Sequence, residues 1–589
     1  MSESTTRPGW LRVLGGHQVF LVWLLFVFCS LAQSFIPGVN EPHYLCKARS
    51  FADPSWCERD FFLASHNSHF CFYVIVGPLT KVMPFWLVAL FGRFVSLALV
   101  AWGWCRLAQT LRLRAAFVFG SSALYAVVAS LGSFSGEWIL GGFESKVPAW
   151  GLFLLAAARW MTCLQKGSYR DAVFAGIYAG LATALHPVVG IWGVTAFGMV
   201  QFTGCFLPVR GLNDSTQDVE KCVPTESRPW LVLPASVPQT AFSSRVSAFA
   251  ADSTLMLLPY SVISLAGVVP ALRLLIETNV DPDDKAIAEF IQVFWRLSHH
   301  MDPSAFSVSQ WAFAALVCSA LVYLRWLRQV QRRRAETTPA TTTVTTRPTC
   351  EASMQILERL LVASGMIALA GIAIGWHTVP AKELGGWEWR AALLKFYPFR
   401  LFDGMMPILV ALSIAVWLQN RFTLQLSSAE ATARLQRLNR LKAGRAIAGI
   451  ISIAVLFNLR SVAPAGYTIR QYLDWRDVCF WIREHTPPES LILTPRESFA
   501  FKWLAQRAEF VTYKDCPQDA SGILEWNRRL WYLNGWTYRS SLDGLYDHQD
   551  MQSLRSQTDC DYVVTRTFGP FEQQPVFAAG EWGVYEVPR

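Results

Sequence analysis

The densest chemistry in the chain lies between Asn40 and Phe70, in N-E-P-H-Y-L-C-K-A-R-S-F-A-D-P-S-W-C-E-R-D-F-F-L-A-S-H-N-S-H-F. Glu41, Asp53, Glu58 and Asp60 sit there with His43, His66 and His69. Such groups move protons, hold metals or bind sugar hydroxyls. The aromatic residues among them (Tyr44, Phe51, Trp56, Phe61, Phe62) mark a segment that packs. Further on, G-S-F-S-G-E-W-I-L-G-G-F-E-S-K-V-P carries Glu137, Glu144 and Lys146, and A-L-H-P-V-V-G carries His186. A fourth group holds Glu277, Asp281, Asp283, Asp284, His299, His300 and Asp302. A fifth, from Trp376 to Asp403, holds His377, Lys382, Glu383, Glu388, Arg390, Lys395, Tyr397 and Arg400. A carboxylate whose pKa is raised by burial is a general base near neutral pH. Arg and Lys hold phosphate, Arg in bidentate geometry. Together these are the two halves of a glycosyl or phosphoryl transfer site. Each group also has a plainer reading. Glu144 and Lys146 suit an interfacial turn with snorkelling charges, and His186 a helix end bonded to a carbonyl. His299 and His300 suit solvent. Arg390, Lys395 and Arg400 suit pairing with Glu388, Asp403 or lipid phosphates.

These groups must be positioned by membrane helices. Of 589 residues, 52% are hydrophobic and 16% charged, which is too apolar for a soluble globular chain of this size. The 25 Trp and 39 Phe fit aromatic belts at bilayer interfaces. The formal charge of +9 is spread over short basic runs between apolar segments, the pattern of cytoplasmic loops, so nucleic acid is excluded as a partner. None of the 13 cysteines shows C-x-x-C metal spacing. Cys29, Cys105, Cys163 and Cys318 lie in or beside apolar runs and read as packing residues.

A span needs about 20 mostly apolar residues. Eleven segments qualify: 18–37, 84–104, 115–131, 147–164, 172–186, 188–204, 252–272, 307–324, 359–379, 403–419 and 446–460. The apolar stretch 70–83 reads as a re-entrant or half-helix. The first span ends in Ser34-Phe-Ile-Pro37 without a cleavage motif and is expected to be retained. With Arg7 and Arg12 inside, the inner loops carry Arg106, Arg112, Arg114; Lys166, Arg170; Arg325, Arg328, Arg332, Arg333, Arg334; and Arg434, Arg437, Arg440, Lys442, Arg445. The five chemical groups then all fall outside. Residues 1–463 thus form a helical membrane domain, with a first outer loop at 38–69, an inner loop at 206–250 and an inner basic linker at 325–358. That linker contains the Thr/Pro-rich stretch 335–350. Residues 464–589 follow as an extracytoplasmic α/β domain. Its expected helices are Asp474–His485 and Leu524–Leu533, and its strands Ser490–Thr494, Glu509–Tyr513, Tyr562–Thr565 and Trp582–Val587. The expected location is the inner membrane, multi-pass, with a cytoplasmic N-terminus. Cys46 with Cys57, and Cys516 with Cys560, are candidate disulfides.

In N-E-P-H-Y-L, C-E-R-D-F-F, G-G-F-E-S-K-V-P-A, L-H-P-V-V-G and F-Y-P-F-R-L-F-D, set in this architecture, the chain resembles the GT-C superfamily of polyprenyl-phosphate-dependent glycosyltransferases. The resemblance implies an inverting transfer of sugar from a lipid-linked donor. The acceptor would be a glycan, lipid or protein at the outer face, with membrane lipids around it. The family's acidic residue at the start of the first outer loop is catalytic base or metal ligand. That role maps onto Glu41, with Asp60 as second candidate. Basic residues of later outer loops hold the lipid phosphate in the family, which points to Lys146, Lys382, Arg390 and Arg400. His43, Glu144 and His186 join them as substrate-binding candidates. Asn40-Glu41 departs from the family's Asp-Glu pair, and Asn is a poorer ligand for a hard cation. No metal ligand is therefore assigned, and use of Mg or Mn stays open. Two other classes stand beside the enzyme: a non-catalytic scaffold of the same architecture, and a lipid or solute transporter. Against the transporter, no repeated half with Gly/Pro-broken helices is visible.

Overall fold

The computed structural model describes residues 9–38, 40–206, 241–276, 280–336, 348–426, 449, 452–453, 463–464 and 466–588. Expectations for Glu277, for span 446–460 and for Arg434, Arg437, Arg440, Lys442 and Arg445 lie outside these residues. Helices follow the apolar segments. They are α1 (Gly9–Gln33), α2 (Glu41–Ala52), α3 (Phe61–Ala64), α4 (Phe70–Val82), α5 (Phe85–Thr110), α6 (Ala115–Leu131), α7 (Lys146–Lys166), α8 (Tyr169–Leu185), α9 (Pro187–Phe206) and α10 (Ala241–Leu275). After α11 (Pro282–Phe290) a π-helical turn, Ile291–Arg296, leads to α12 (Ser298–Met301), α13 (Val308–Glu336), α14 (Pro348–Gly375), α15 (Trp387–Leu394) and α16 (Arg400–Leu426). Seven of the described helices are long and apolar enough to cross a membrane: α5, α7, α9, α10, α13, α14 and α16. Apolar stretches of α1, α4 and α6 are shorter, so the count of eleven is not reached on length. The inner loop is helical from Ala241, and the basic linker narrows because α13 runs to Glu336 and α14 starts at Pro348.

Helix α7 lies at the centre, buried on nearly all sides. It approaches α5 closely through two glycines. A Cβ on Gly103 would stand 2.6 Å from the Gly151 carbonyl oxygen, and one on Gly151 would stand 2.7 Å from Leu99 backbone. The loops sort into two ends. At one, the Arg114 amide donates to Gln419 (2.7 Å), Gln165 to Ser353 (2.5 Å) and Ser353 to the Thr110 carbonyl (2.7 Å). At the other gather the segments around residues 40–69, 132–146, 186, 290–306 and 376–400. The basic-loop rule requires this alternation of ends.

The C-terminal part contains α17 (Ile469–His485), β1 (Leu491–Leu493), α18 (Phe501–Ala505), β2 (Ala508–Glu509), α19 (Ala520–Ser540), α20 (His548–Thr558), β3 (Tyr562–Thr565), β4 (Phe577–Ala579) and β5 (Trp582–Glu586). The sheet order is β2-β1-β3-β5-β4. Strands β2, β1 and β3 run parallel, while β5 is antiparallel to both β3 and β4. The expected strand 509–513 is shorter than read, because Phe510 and Val511 turn into the core. The sheet's core does not stop at the domain. Leu45, Cys46 and Phe62 of the first loop pack in one cluster with Trp475, Phe501 and Trp526. The loop and the tail are therefore one packed body seated on the helix ends.

Candidate functional site at the shared helix ends

Glu41 opens α2 directly after Asn40, with Pro42 fixing the first turn. Its side chain is fully buried. Oε1 accepts from Arg93 Nε (2.6 Å) and the Phe143 amide (2.7 Å), and Oε2 from Arg93 Nη2 (2.9 Å) and the Gly38 amide (2.6 Å). Arg93 also donates to the carbonyls of Ser34 (2.5 Å) and Phe35 (3.2 Å). Gly142 must be small, since a Cβ there would meet Glu41 Cγ at 2.9 Å. Glu41 therefore binds α1, α5 and the 141–146 segment together. It presents no free oxygen to a cavity.

Asp60 is equally enclosed. It caps α3 through the Leu63 amide (2.9 Å), accepts from the Glu509 amide (2.9 Å) and lies 3.3 Å from Lys502 Nζ. Lys502 is the hub of a buried cluster that also holds Glu509 (2.8 Å) and Asp515 (2.6 Å). Burial opposes the Lys502 charge, yet Asp515, Asp60 and Glu509 together keep its pKa well above the ordinary value. His43 adds a bond from Nδ1 to Asp515 at 2.8 Å. Burial would raise the Asp515 carboxyl, but Lys502 and then His43 hold it well below the carboxylate range. This cluster clamps the tail to the first loop.

A second cluster faces the helix ends. Glu144 Oε1 accepts from Asn40 Nδ2 (2.9 Å), and Glu144 Oε2 lies 3.4 Å from Lys146 Nζ. Lys514 of the tail donates to Asn40 Oδ1 at 2.5 Å. Next to this row, His69 and His186 stack with centroids 5.3 Å apart. Tyr44 Oη and Ser145 Oγ each lie 3.3 Å from a His69 ring nitrogen. Arg400 Nη1 reaches His186 Nε2 at 3.2 Å, and Arg400 Nε lies 3.1 Å from Glu137 Oε2. Burial first, then the charges of His43 and Arg400, push His69 down to about 3. Burial and Arg400 likewise hold His186 well below its usual value. Tyr44 and Ser145 stand at the two ring nitrogens of His69, and Arg400 and the Val189 amide at those of His186. Trp150 donates to Glu137 Oε1 at 2.6 Å. Asp403 accepts the amides of Phe134 (2.6 Å), Ser135 (2.8 Å) and Glu137 (2.9 Å), which fixes the backbone that aims Glu137 at Arg400.

Of the residues expected from sequence, Glu144, Lys146, His186 and Arg400 thus converge. His43 is in the clamp. Lys382 is apart, 5.9 Å above the Phe290 ring. Arg390 donates to the Ile374 carbonyl at 2.7 Å and stacks on Trp389. His299 is exposed as expected, but His300 bonds the Ser135 carbonyl at 2.5 Å. The Val189 amide reaches His186 Nδ1 at 3.4 Å, and the ring also meets its own backbone carbonyl, as a helix-end histidine does. Cys46, Cys57, Cys516 and Cys560 are free, buried thiols, so the two expected disulfides are not formed. Among the described residues no group of three or more His, Cys, Asp or Glu side chains is placed to hold a metal ion. The carboxylates of both clusters face Lys and Arg, a donor set that does not fit a divalent cation. Three members of the site carried no sequence signal of their role: Asn40 in its orienting role, His69 as stacking partner, and Lys514.

Fold and site together define a multi-span helical protein with a small sheet domain packed on one end of its bundle. Residues 473–533 match a domain of unknown function, DUF6798, which covers α17 through most of α19. No curated protein sequence matches the chain. Among solved structures, the oligosaccharyltransferase of Archaeoglobus fulgidus, crystallised with zinc and sulfate, aligns over 93% of this chain and 67% of its own at a TM-score of 0.42 and 12% identity.

Proposed function

We propose that the protein transfers a sugar from a polyprenyl-phosphate donor to an acceptor hydroxyl at the outer face of a membrane. The observation that carries this reading is a juxtaposition. An apolar cavity of about 550 Å³ between α13, α14 and α16 is lined by Phe134, Trp311, Leu361, Met366, Leu369 and Phe402, among others. Phe402 and Arg400 share the first turn of α16 on different faces, Phe402 towards the cavity and Arg400 towards His186 and Glu137, and the Phe134 amide binds Asp403 in the same turn. An isoprenoid chain in the cavity would bring its phosphate to the cluster of Arg400, Lys146 and Lys514. In the transfer, the acceptor oxygen bonds to the anomeric carbon from the face opposite the phosphate. The anomeric C–O bond breaks, and its electron pair leaves with the phosphate. Glu144 takes the acceptor proton, and the cations stabilise the departing charge. Glu41 and Asp60 act here as positioning residues: their oxygens are already occupied by buried donors. His69 and His186, stacked beside this cluster, form one wall of the site.

The test is transfer of labelled sugar from a mixed polyprenyl-phosphate-sugar pool by the full chain in nanodiscs. Glu144→Gln should lower turnover by about 10²-fold or more while leaving the protein folded. Turnover like that of the unmodified chain would remove Glu144 from the reaction.

A further inference from the structure

We propose that the cavity beneath the α4–α5 turn binds the phosphate ester headgroup of an anionic membrane lipid, independently of the transfer site. The cavity, of about 530 Å³, is lined on the helical side by Arg49, Trp56, Lys81 and Phe85 and on the tail side by Arg483 and Trp503, among others. Its volume is ample for a glycerophosphate. Three cations line it, and among the described lining residues there is no acid. Asp53 and Glu484 lie beside it: Asp53 is 3.4 Å from Arg49 Nη2, and Glu484 is 3.3 Å from Arg483 Nη2 on the surface. Arg49 Nη1 is spent on the Thr80 carbonyl (2.7 Å), but its Nε is buried without a hydrogen-bond partner. A buried guanidinium N–H without an acceptor is costly, and an anion entering the cavity supplies one.

The setting points to a lipid as the source of that anion. Helix α5 is long and apolar enough to span a membrane, and a span that starts with it would put its first turn at the bilayer boundary. Val82 and Trp86, on either side of the turn, are 79% and 55% exposed, which places apolar surface at the mouth. Within the cavity Phe85 stacks on Trp503 (5.1 Å) and meets Trp56 edge-on (5.7 Å). Tryptophan beside Lys and Arg at a span end is the composition of an interfacial lipid contact. Because the wall is shared by the α4–α5 turn, α17 and α18, a bound headgroup would tie the tail domain to the membrane surface.

The test uses the full chain in detergent and native mass spectrometry, with short-chain phosphatidylglycerol, phosphatidylcholine and inorganic phosphate as probes. Phosphatidylglycerol should bind in preference to phosphatidylcholine. Lys81→Glu/Arg483→Glu should weaken it about tenfold or more. Both side chains are at least partly exposed, so folding should persist, and Arg528→Glu/Arg539→Glu on the exposed side of α19, with the same total change of charge, controls for net charge. Retained binding in the double variant would overturn the proposal. Inorganic phosphate displacing the lipid at equal concentration would overturn the lipid source and leave a phosphate-ion site. If sugar transfer were absent altogether, this result would stand or fall unchanged.

Discussion

Replacing Glu41 with Gln separates a positioning role from a catalytic one. In the structure each carboxylate oxygen accepts two bonds, from Arg93 Nε and Phe143 N on one side and from Arg93 Nη2 and Gly38 N on the other. A carboxamide keeps one oxygen and turns the other position into a donor. Whichever way it flips, two donors then face an N–H₂ group. Arg93 is 1% exposed and loses its counter-charge. Removing one partner of a buried pair costs about 3–5 kcal/mol. The Ser34 and Phe35 carbonyls that also accept from Arg93 favour the lower end of that range. The apparent Tm should fall on the order of 5–10 °C. Arg93→Met combined with Glu41→Gln should lose less than the sum of the single changes, with a coupling of about 2 kcal/mol or more. The assay is thermal unfolding in nanodiscs, run beside sugar transfer. An unchanged Tm with lost transfer would refute this reasoning and return Glu41 to the chemistry.

Other perturbations follow from the same contacts. Lys502→Met leaves Asp60, Glu509 and Asp515 buried around a missing charge; the tail should loosen by more than about 3 kcal/mol, read as faster proteolysis after residue 463. Unchanged protection would show the cluster to be dispensable. Asp403→Ala strands the amides of Phe134, Ser135 and Glu137, at about 1–3 kcal/mol for each left unsatisfied. Transfer should fall with stability because Glu137 loses its aim at Arg400; full activity would contradict this. Acid should also destabilise the fold. Burial pushes His69 and His300 down to about 3, against about 6.5 when unfolded. The unfolded chain therefore binds more protons between those values. Stability is complete above pH 6.5 and falls as pH drops towards 3, by up to about 1.4 kcal/mol per pH unit for each histidine. His69→Gln should flatten that slope, and a slope unaffected by the change would contradict the assignment.

Much of this architecture was legible because bilayer length and hydrophobic runs leave few choices. Helices α5, α7, α9 and α16 fall where the apolar segments do, and β1, β3 and β5 where short apolar or aromatic runs do. Strand β4 was missed because Phe577-Ala-Ala579 has no alternation, and α20 because His548–Thr558 is mostly polar. The site was legible only by residue type. Glu144, Lys146, His186 and Arg400 announce chemistry in apolar surroundings. Nothing in the sequence says that Asn40 turns its amide between Glu144 and Lys514, or that Lys382 faces an aromatic ring instead. Glu41 is ambiguous in the sequence for a physical reason: a carboxylate meant for an acceptor and one meant for a buried arginine look alike until the arginine's place is known. Arg93 inside a span was the available hint.

The bond from Lys514 to Asn40 joins positions 474 residues apart. Asn40 leaves the ribosome long before Lys514, so the cluster cannot be assembled until the chain through Lys514 has been synthesised and lies on the same side as Asn40. A chain stopped before Lys514 would carry Asn40 and Glu144 but lack the lysine that joins them from the tail. Closing the cluster is therefore the tail's contribution, made only after the helices around Asn40 and Glu144 have been synthesised.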